Sequence, residues 1–496
     1  VELLEKTIEA ISPAWAASRA KARFDAKRYR RAANSFDTQS KYDAAKRGRR
    51  LENWSPTGTS INAENEGALS ILRRRSRHLI QNTGMGKRAK QVLKNNIVRG
   101  GIRPNVLTEN DDFEDAIRRW ARSPRCDKDG VTSLYGIQSL VVGTRMESGS
   151  ALVIRHRLPF ERGRIPLALE VREPDWIDTD YTTKLANDNV VIQGVEFNSR
   201  GQRVAYHMYR EHPGSLNVTF GNYDRRRIPA EDVAYVFDRW RPGQVHGVPD
   251  LAPVMVKMRD LGELDDAQLV KQKVAACFTA FVESSNRSTM PGEEQTNGDF
   301  HTRVEPGMIQ YLDPGEEITF GQPPQVEGYR DFATIQKMEV AAGLGIPYEI
   351  FAGDYSQVSF ISGRMGSLEF DRRIDHDHAT IYEPQLLFRI GEWLAEAGEL
   401  MGMTDGSDII GWTAPKREMI DPQKETEASI RAIRGGLSSR PAEIRKRGRD
   451  PEEVDTEIAS DNDKIDEEDF IFDSDARRQN ANGTPRRGNE EVANAG

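Results

Sequence analysis

Arg227 to Leu251, RIPAEDVAYVFDRWRPGQVHGVPDL, joins a strand-like run to a corner rich in glycine and proline and then to a helical pattern. Pro229 with Glu231 and Asp232 marks a turn, and the alternation of Val233, Tyr235 and Phe237 gives a half-buried strand of period two. The chain then breaks twice, at Arg241-Pro242-Gly243 and at Gly247-Val248-Pro249. Asp250 after the second break reads as a helix start, its carboxylate near unpaired amides. Beyond it Leu251, Met255, Met258, Leu261, Leu264, Ala267, Val270, Val274, Cys277 and Phe281 recur every three or four residues. That spacing predicts a helix of roughly 30 residues, about 45 Å long, more than globular helices usually reach.

Working outward, the strand-like runs Ala151–Arg157, Leu167–Arg172, Val190–Phe197, Val204–Tyr209 and Val233–Phe237 mix with helical runs at Phe113–Arg122 and Ser133–Glu147, giving an α+β region. Asn198-Ser-Arg-Gly201 suits a hairpin connection. Ala63–Ile97 reads as helix, weakened at Gly84 and Gly86. Tyr329–Leu344 reads as helix stopped by Gly345 and Pro347. Gly353–Gly366 has no helical stripe and reads as a loop; a helix from about Met365 to Leu400 follows, interrupted or kinked at Pro384. Glu283–Asp299 is polar, and Gly307–Phe320 reads as two short strands around Asp313-Pro314-Gly315.

The 496 residues suffice for several domains or one large subunit, and 30% charged against 37% apolar suits a chain that completes its packing against copies of itself. The net charge of −8 is unevenly spread: residues 1–110 carry 23 basic and 10 acidic side chains, +13, leaving −21 for the rest. Such asymmetry points to nucleic acid or an acidic partner for the basic part. Twelve basic residues lie between Arg19 and Arg50, interleaved with Tyr29, Phe36 and Tyr42 and followed by Trp54. These aromatics serve either base stacking or anchoring to a neighbouring subunit, and anchoring is the simpler role. Pro451–Asp475 holds 12 acidic residues and one lysine, and a disordered tail is expected there and through Gly496.

Two distant cysteines, Cys126 and Cys277, exclude a cysteine zinc site or a disulfide framework. No apolar run is long enough for a membrane span and no secretory leader opens the sequence, so a soluble protein of a reducing cytoplasm is expected. Gly86-Lys87 is no phosphate-binding loop, because Gln81 and Arg88 stand where glycine and Ser/Thr are required. Asp371, Asp375 and His378 share a helical face and are the best metal-ligand candidates, set against a solvated face paired with Arg372 and Arg373. No catalytic dyad or triad motif occurs, so no enzyme activity, cofactor or metal is expected.

The words RPGQ, GVP and LAPV in the corner, Ala341–Gln357 (AAGLGIPYEIFAGDYSQ) with Ser359, Ser362, Gly363 and Arg364 after it, Ile192–Gly201 and Val204–Pro213, and the arginine-rich Leu72–Gly101 resemble, in order and spacing, the lambda-type portal proteins of tailed bacteriophages. The resemblance runs from Tyr29 to about Asp450. It implies a portal-type α+β fold with a mixed α/β wing, long stem helices, a small β-containing clip and a helical C-terminal crown. The implied division is a basic arm (1–62), wing (63–248), first stem helix (249–282), clip (283–325), second stem helix (326–352), tunnel loop (353–366), long wing helix and return (367–420), helical crown with acidic segment (421–475) and disordered tail (476–496).

The same resemblance implies a dodecameric ring at one capsid vertex, passing double-stranded DNA during packaging and ejection. Its expected partners are the terminase large subunit, a head-tail connector, the major capsid protein and a scaffold, with no membrane. Gln357, Ser359, Ser362 and Arg364 are then candidates for transient contact with DNA, Lys257, Lys271 and Lys273 for the stem channel, and Tyr311, Asp313, Glu316 and Glu317 for docking at the clip. Arg28, Arg30, Arg31, Arg73, Arg74, Arg75 and Arg77 are candidates for subunit contacts. Two other classes compete: a metal-dependent nuclease using Asp371, Asp375 and His378, and a capsid-interior scaffold or ejection protein.

Overall fold

A computed structural model of the chain describes residues 58–108, 110–215, 224–276, 280–284, 316–320, 328–406, 408–415 and 421–468, with isolated positions 22, 25, 26, 56, 470, 472 and 477. The chain forms two compact units, Val1–Ala63 and Glu64–Gly496.

The arginine-rich region forms two helices, α1 (Ala68–Asn82) and α2 (Gly84–Val98). The break falls at Thr83, whose extended backbone ends α1 while its hydroxyl accepts the Gly86 amide and caps α2. After β1 (Arg103–Val106), α3 (Asp111–Arg122) is stabilised at both ends: Asn110 caps the Phe113 amide at 3.2 Å, acidic residues fill the first turn, and Arg119 and Arg122 sit in the last. Helix α4 (Leu134–Ser148) buries Leu134, Ile137, Val141 and Met146 and ends at Gly149, φ 84°.

Strands β2 (Ser150–Arg157), β3 (Leu167–Arg172) and, later, β9 (Val233–Phe237) form an antiparallel sheet in the order β3-β2-β9. Between them a five-stranded antiparallel meander runs through β4 (Thr183–Lys184), β5 (Val190–Ile192), β6 (Val195–Phe197), β7 (Arg203–Tyr209) and β8 (Arg225–Pro229). The expected single strand over 190–197 is therefore two, because Gln193 and Gly194 both take positive φ and reverse the chain. The Asn198–Gly201 hairpin is present, with the Asn198 amide donating to the Gln202 carbonyl at 3.0 Å.

The long helix α5 begins at Met255 and runs to Ala276, 22 residues. Two successive turns, Ala252 N–H to Pro249 O and Val254 N–H to Leu251 O, both 2.9 Å, fill the interval after Asp250. Pro253 accounts for the delay: it lacks an amide and disfavours helical backbone at Ala252. At the far end Ala280–Ser284 is strand β10, paired antiparallel with β11 (Glu316–Phe320), so Phe281 is not helical. Helix α6 (Tyr329–Leu344) stops at Gly345, φ 62°, as its sequence predicts. A short α7 (Tyr348–Ala352) precedes α8 (Phe360–Asp377), a π-helical segment His378–Leu387 and α9 (Phe388–Met401).

The helix thus starts five residues before the expected Met365. Ser359 and Ser362 close a capping box, each side chain receiving the other's amide at 3.2 and 3.0 Å. Pro384 lies within the π-helical segment, where the missing amide changes the helical register. After β12 (Ile410–Thr413), which pairs with β1, come α10 (Pro422–Arg434), α11 (Arg440–Lys446) and α12 (Pro451–Glu467). Pro451–Glu467, expected to be disordered, is helical. Asp450 caps it at the Glu452 amide and Glu452 and Glu453 favour its positive end. The α+β class read from the sequence holds.

Candidate functional site

The corner Asp238–Pro249 is built on buried polar groups. Gln244 accepts the Trp240 amide at 2.8 Å and donates to the His246 carbonyl at 2.7 Å. His246 donates from Nε2 to Gln193 O at 2.8 Å, which leaves Nδ1 to accept from the Tyr235 hydroxyl at 2.7 Å. Burial, helped by the Arg73 and Arg203 charges, pushes His246 down to about 3 and keeps it neutral. Gly247 lies against Gly149, where a Cβ would stand 1.9 Å from the Gly149 carbonyl oxygen. The backbone contact between α4's end and the corner therefore requires glycine.

Asp250 does not cap α5. Its side chain, 9% exposed, faces Arg145 of α4, 3% exposed, at 3.3 Å. Arg145 also donates to the Tyr382 hydroxyl at 3.2 Å. Burial works against the Arg145 charge, yet Asp250, Tyr382 and Asp377 more than offset it and raise its pKa. Burial pushes the Asp250 carboxyl above its ordinary value despite Arg145 and Arg373, and pushes Tyr382 up to about 12. Arg373 lies 3.9 Å from Asp377 and donates to the Leu344 carbonyl at the end of α6. The cluster thus ties together the start of α5, the end of α6, α4 and the π-helical segment. Gln385 of that segment accepts the Phe237 amide at 2.9 Å and donates to the Phe237 carbonyl at 3.1 Å, holding the end of β9.

The sequence reading missed this cluster, assigning Asp250 to a helix start. Arg145 in the largely apolar run LYGIQSLVVGTRMES was the available signal.

Helices α5 and α6 pack at their anchored ends, where a Cβ on Gly343 would meet Val254 at 2.5 Å. Leu251, Met255, Met258 and Leu261 are buried, but beyond them the stripe emerges at Val270, and the adjacent Leu269 is exposed too. On α6 Phe332, Ile335 and Met338 are exposed as well. Lys257 pairs with Glu339 across the two helices, whereas Lys271 and Lys273 have no ion pair among the described residues. Gln357 and Arg364 are exposed. Ser359 and Ser362 are exposed but spend their hydroxyls on the capping box. Glu316 and Glu317 lie on β11; Tyr311, Asp313, Arg28, Arg30 and Arg31 fall outside the described residues.

The arginines of α1 divide. Arg73 is buried, donating to Ser148 O at 3.2 Å, and Arg77 bonds Ser148 and Asp175 and lies 3.2 Å from Glu173. Both bond within the chain, although Arg73 Nη2 and Arg77 Nε are buried without a hydrogen-bond partner; Arg74 and Arg75 are exposed. Asp371, Asp375 and His378 are not gathered as ligands. Asp371 pairs with Arg99 at 3.0 Å and His378 Nε2 donates to Ile97 O at 2.9 Å. Among the described residues only Glu173, Asp175 and His212 cluster at metal-like spacing, and Arg77 occupies that group's carboxylates. No helix of the described residues is long and apolar enough to cross a membrane.

The chain is similar to the probable portal protein of Halomonas phage phiHAP-1, 28% identical over 418 residues, 79% of each chain. It is 22% identical to the portal protein of Escherichia phage N15, over 82% of this chain and 86% of that one. It is 25% identical to portal protein B of Escherichia phage lambda, over 53% and 56%. Among solved structures, a chain in the neck of a native gene transfer agent particle computed with C12 symmetry matches with a TM-score of 0.44 at 13% identity, over 74% of this chain and 90% of that one. An HK97 family phage portal protein from Corynebacterium diphtheriae matches at 0.32 and 10%, over 72% and 98%. The family model described as phage portal protein, lambda family, matches residues 47–377, two thirds of the sequence. This chain belongs to the lambda family of phage portal proteins.

Proposed function

We propose that the chain forms a closed ring of twelve at one capsid vertex and that double-stranded DNA passes through it during packaging and ejection. In this reading α5 and α6 are the stem, β10 and β11 belong to the clip, residues 353–359 with the first turns of α8 form the tunnel loop, and α10–α12 form the crown. The terminase large subunit and a head-tail connector dock at the clip, and the capsid protein and scaffold meet the outer surface. The ring forms in the host cytoplasm and stays in the virion. The chain itself is non-catalytic.

The observation that carries the reading is the pair α5/α6, fixed together at one end while apolar side chains stay exposed along both. Leu269, Val270, Phe332, Ile335 and Met338 gain cover if copies of the pair stand side by side. Charge fits as well, since Lys257 is offset by Glu339 and Arg259 by Glu263 at 2.7 Å. A channel wall so balanced passes a polyanion without trapping it.

The test is the mass of the purified assembly, with end-on images of the same sample. Twelve chains of 55.9 kDa give about 670 kDa with a central hole wide enough for a duplex. A protein that stays monomeric at high concentration and in the presence of capsid and scaffold proteins overturns it. Within a ring, Arg364→Ala is expected to change DNA packaging or retention and leave the ring's mass unaltered.

A further inference from the structure

Between the end of α2, the middle of α8 and the loop after α11 lies an open cleft of about 970 Å³. Four of its lining residues are arginines, Arg99, Arg103, Arg447 and Arg449, against one carboxylate, Asp371. Arg99 pairs with that carboxylate and Arg449 pairs with Glu457 at the surface. Arg103 and Arg447 have no ion pair among the described residues. From this placement we infer that the cleft binds the sugar-phosphate backbone of nucleic acid, at a site distinct from the tunnel loop.

The backbone at Arg99 supports a built site. The Gly101 amide closes a turn on Val98 O at 2.7 Å, and Arg99 takes φ 46°, ψ −120°, the first central position of a type II′ turn, where glycine is the favoured residue. An arginine is held there in a strained conformation, with its guanidinium on the cleft wall.

The ligand class follows from what lines the cleft. Guanidinium groups match phosphate oxygens in geometry and charge. The aromatic lining residue, Phe370, is buried, so the cleft offers no platform for stacking a base. Recognition is therefore of phosphates and indifferent to sequence. An adjoining cleft of about 590 Å³, sharing Arg99 and Arg447, is lined by Asp375, Glu383, Glu425 and Glu443 as well as by basic groups. Those carboxylates repel phosphate and confine the anion to the arginine-lined end.

The test uses the full chain and a labelled 20-base-pair duplex of random sequence, with anisotropy titrations across a salt series. Arg103→Gln/Arg447→Gln is compared with the wild type, sodium tripolyphosphate serving as a second probe. Removing two phosphate contacts is expected to reduce the slope of log K against log salt by about 2. Tripolyphosphate should compete with the duplex in the wild type. An unchanged slope in a variant with the wild-type unfolding midpoint overturns the inference. Tripolyphosphate binding that the variant loses, with duplex binding unaffected, assigns the cleft to free polyphosphates and overturns the nucleic-acid assignment. The mass of the ring is read separately, so failure here and failure of the portal reading are told apart.

Discussion

Asp250→Asn removes one charge from the buried cluster while keeping the shape of the side chain. In the native chain Arg145 is 3% exposed and its charge is balanced mainly by Asp250 at 3.3 Å. The variant leaves Arg145 with the Tyr382 hydroxyl at 3.2 Å and the more distant Asp377. Breaking a buried pair by removing one partner costs about 3–5 kcal/mol, because the remaining charge stays desolvated. With a urea slope of about 3 kcal/mol per molar, the tryptophan-fluorescence midpoint should fall by about 1 M or more. Replacing both partners, as Arg145→Met/Asp250→Leu, removes the orphan charge. The double variant should therefore be more stable than the sum of the single losses by about 2 kcal/mol. A single-variant shift below about 0.3 M, or additive losses, would refute the buried pair and imply that water screens it.

Gln385→Ala should leave the buried Phe237 amide and carbonyl without their partners, cost about 2 kcal/mol, and speed hydrogen exchange at the Phe237 amide. Glu196 is fully buried, and hydrogen bonds from Arg227 first, then Asn189 and His207, overcome burial and hold it at about 2. Its folded pKa lies below its unfolded value, so its contribution of about 3 kcal/mol is complete above pH of about 4.5 and is lost as the pH falls towards 2. Glu196→Gln should flatten that part of the stability profile in acid titrations. Arg99→Gly relieves a left-handed backbone that Arg99→Ala retains, so the glycine variant should be the more stable by about 1 kcal/mol in thermal unfolding.

The periodic elements were legible in the sequence because side-chain spacing alone dictates them. Tyr329–Leu344 ends at Gly345 in both readings, and the period-two run from Val233 to Phe237 is strand β9. What escaped depends on single backbone angles or distant partners. Gln193 adopts a positive φ without being glycine, Ser362 takes the capping-box place usually held by Glu or Gln, and Pro253 displaces a helix start that Asp250 advertises. Gln357 and Arg364, singled out by their position in a family pattern, are exposed. Arg145 and Asp377 acquire meaning only when Asp250 arrives from 105 residues away from Arg145. Arg73 likewise looked like one of four surface cations until Ser148 and Asp175 enclosed it.

The anchoring of α5 and α6 at one end also has a mechanical consequence. Helix α5, 22 residues long, extends about 33 Å from its root. Buried at Leu251, Met255, Met258 and Leu261 and exposing Leu269 and Val270 beyond, it acts as a lever arm: tilting the root by 10° sweeps the far end through about 6 Å on that length. Because Arg373 grips the last turn of α6 while Asp250 fixes the approach to α5, a displacement at either tip is delivered to one shared fulcrum. The π-helical segment, through Gln385, links that fulcrum to β9 and its sheet.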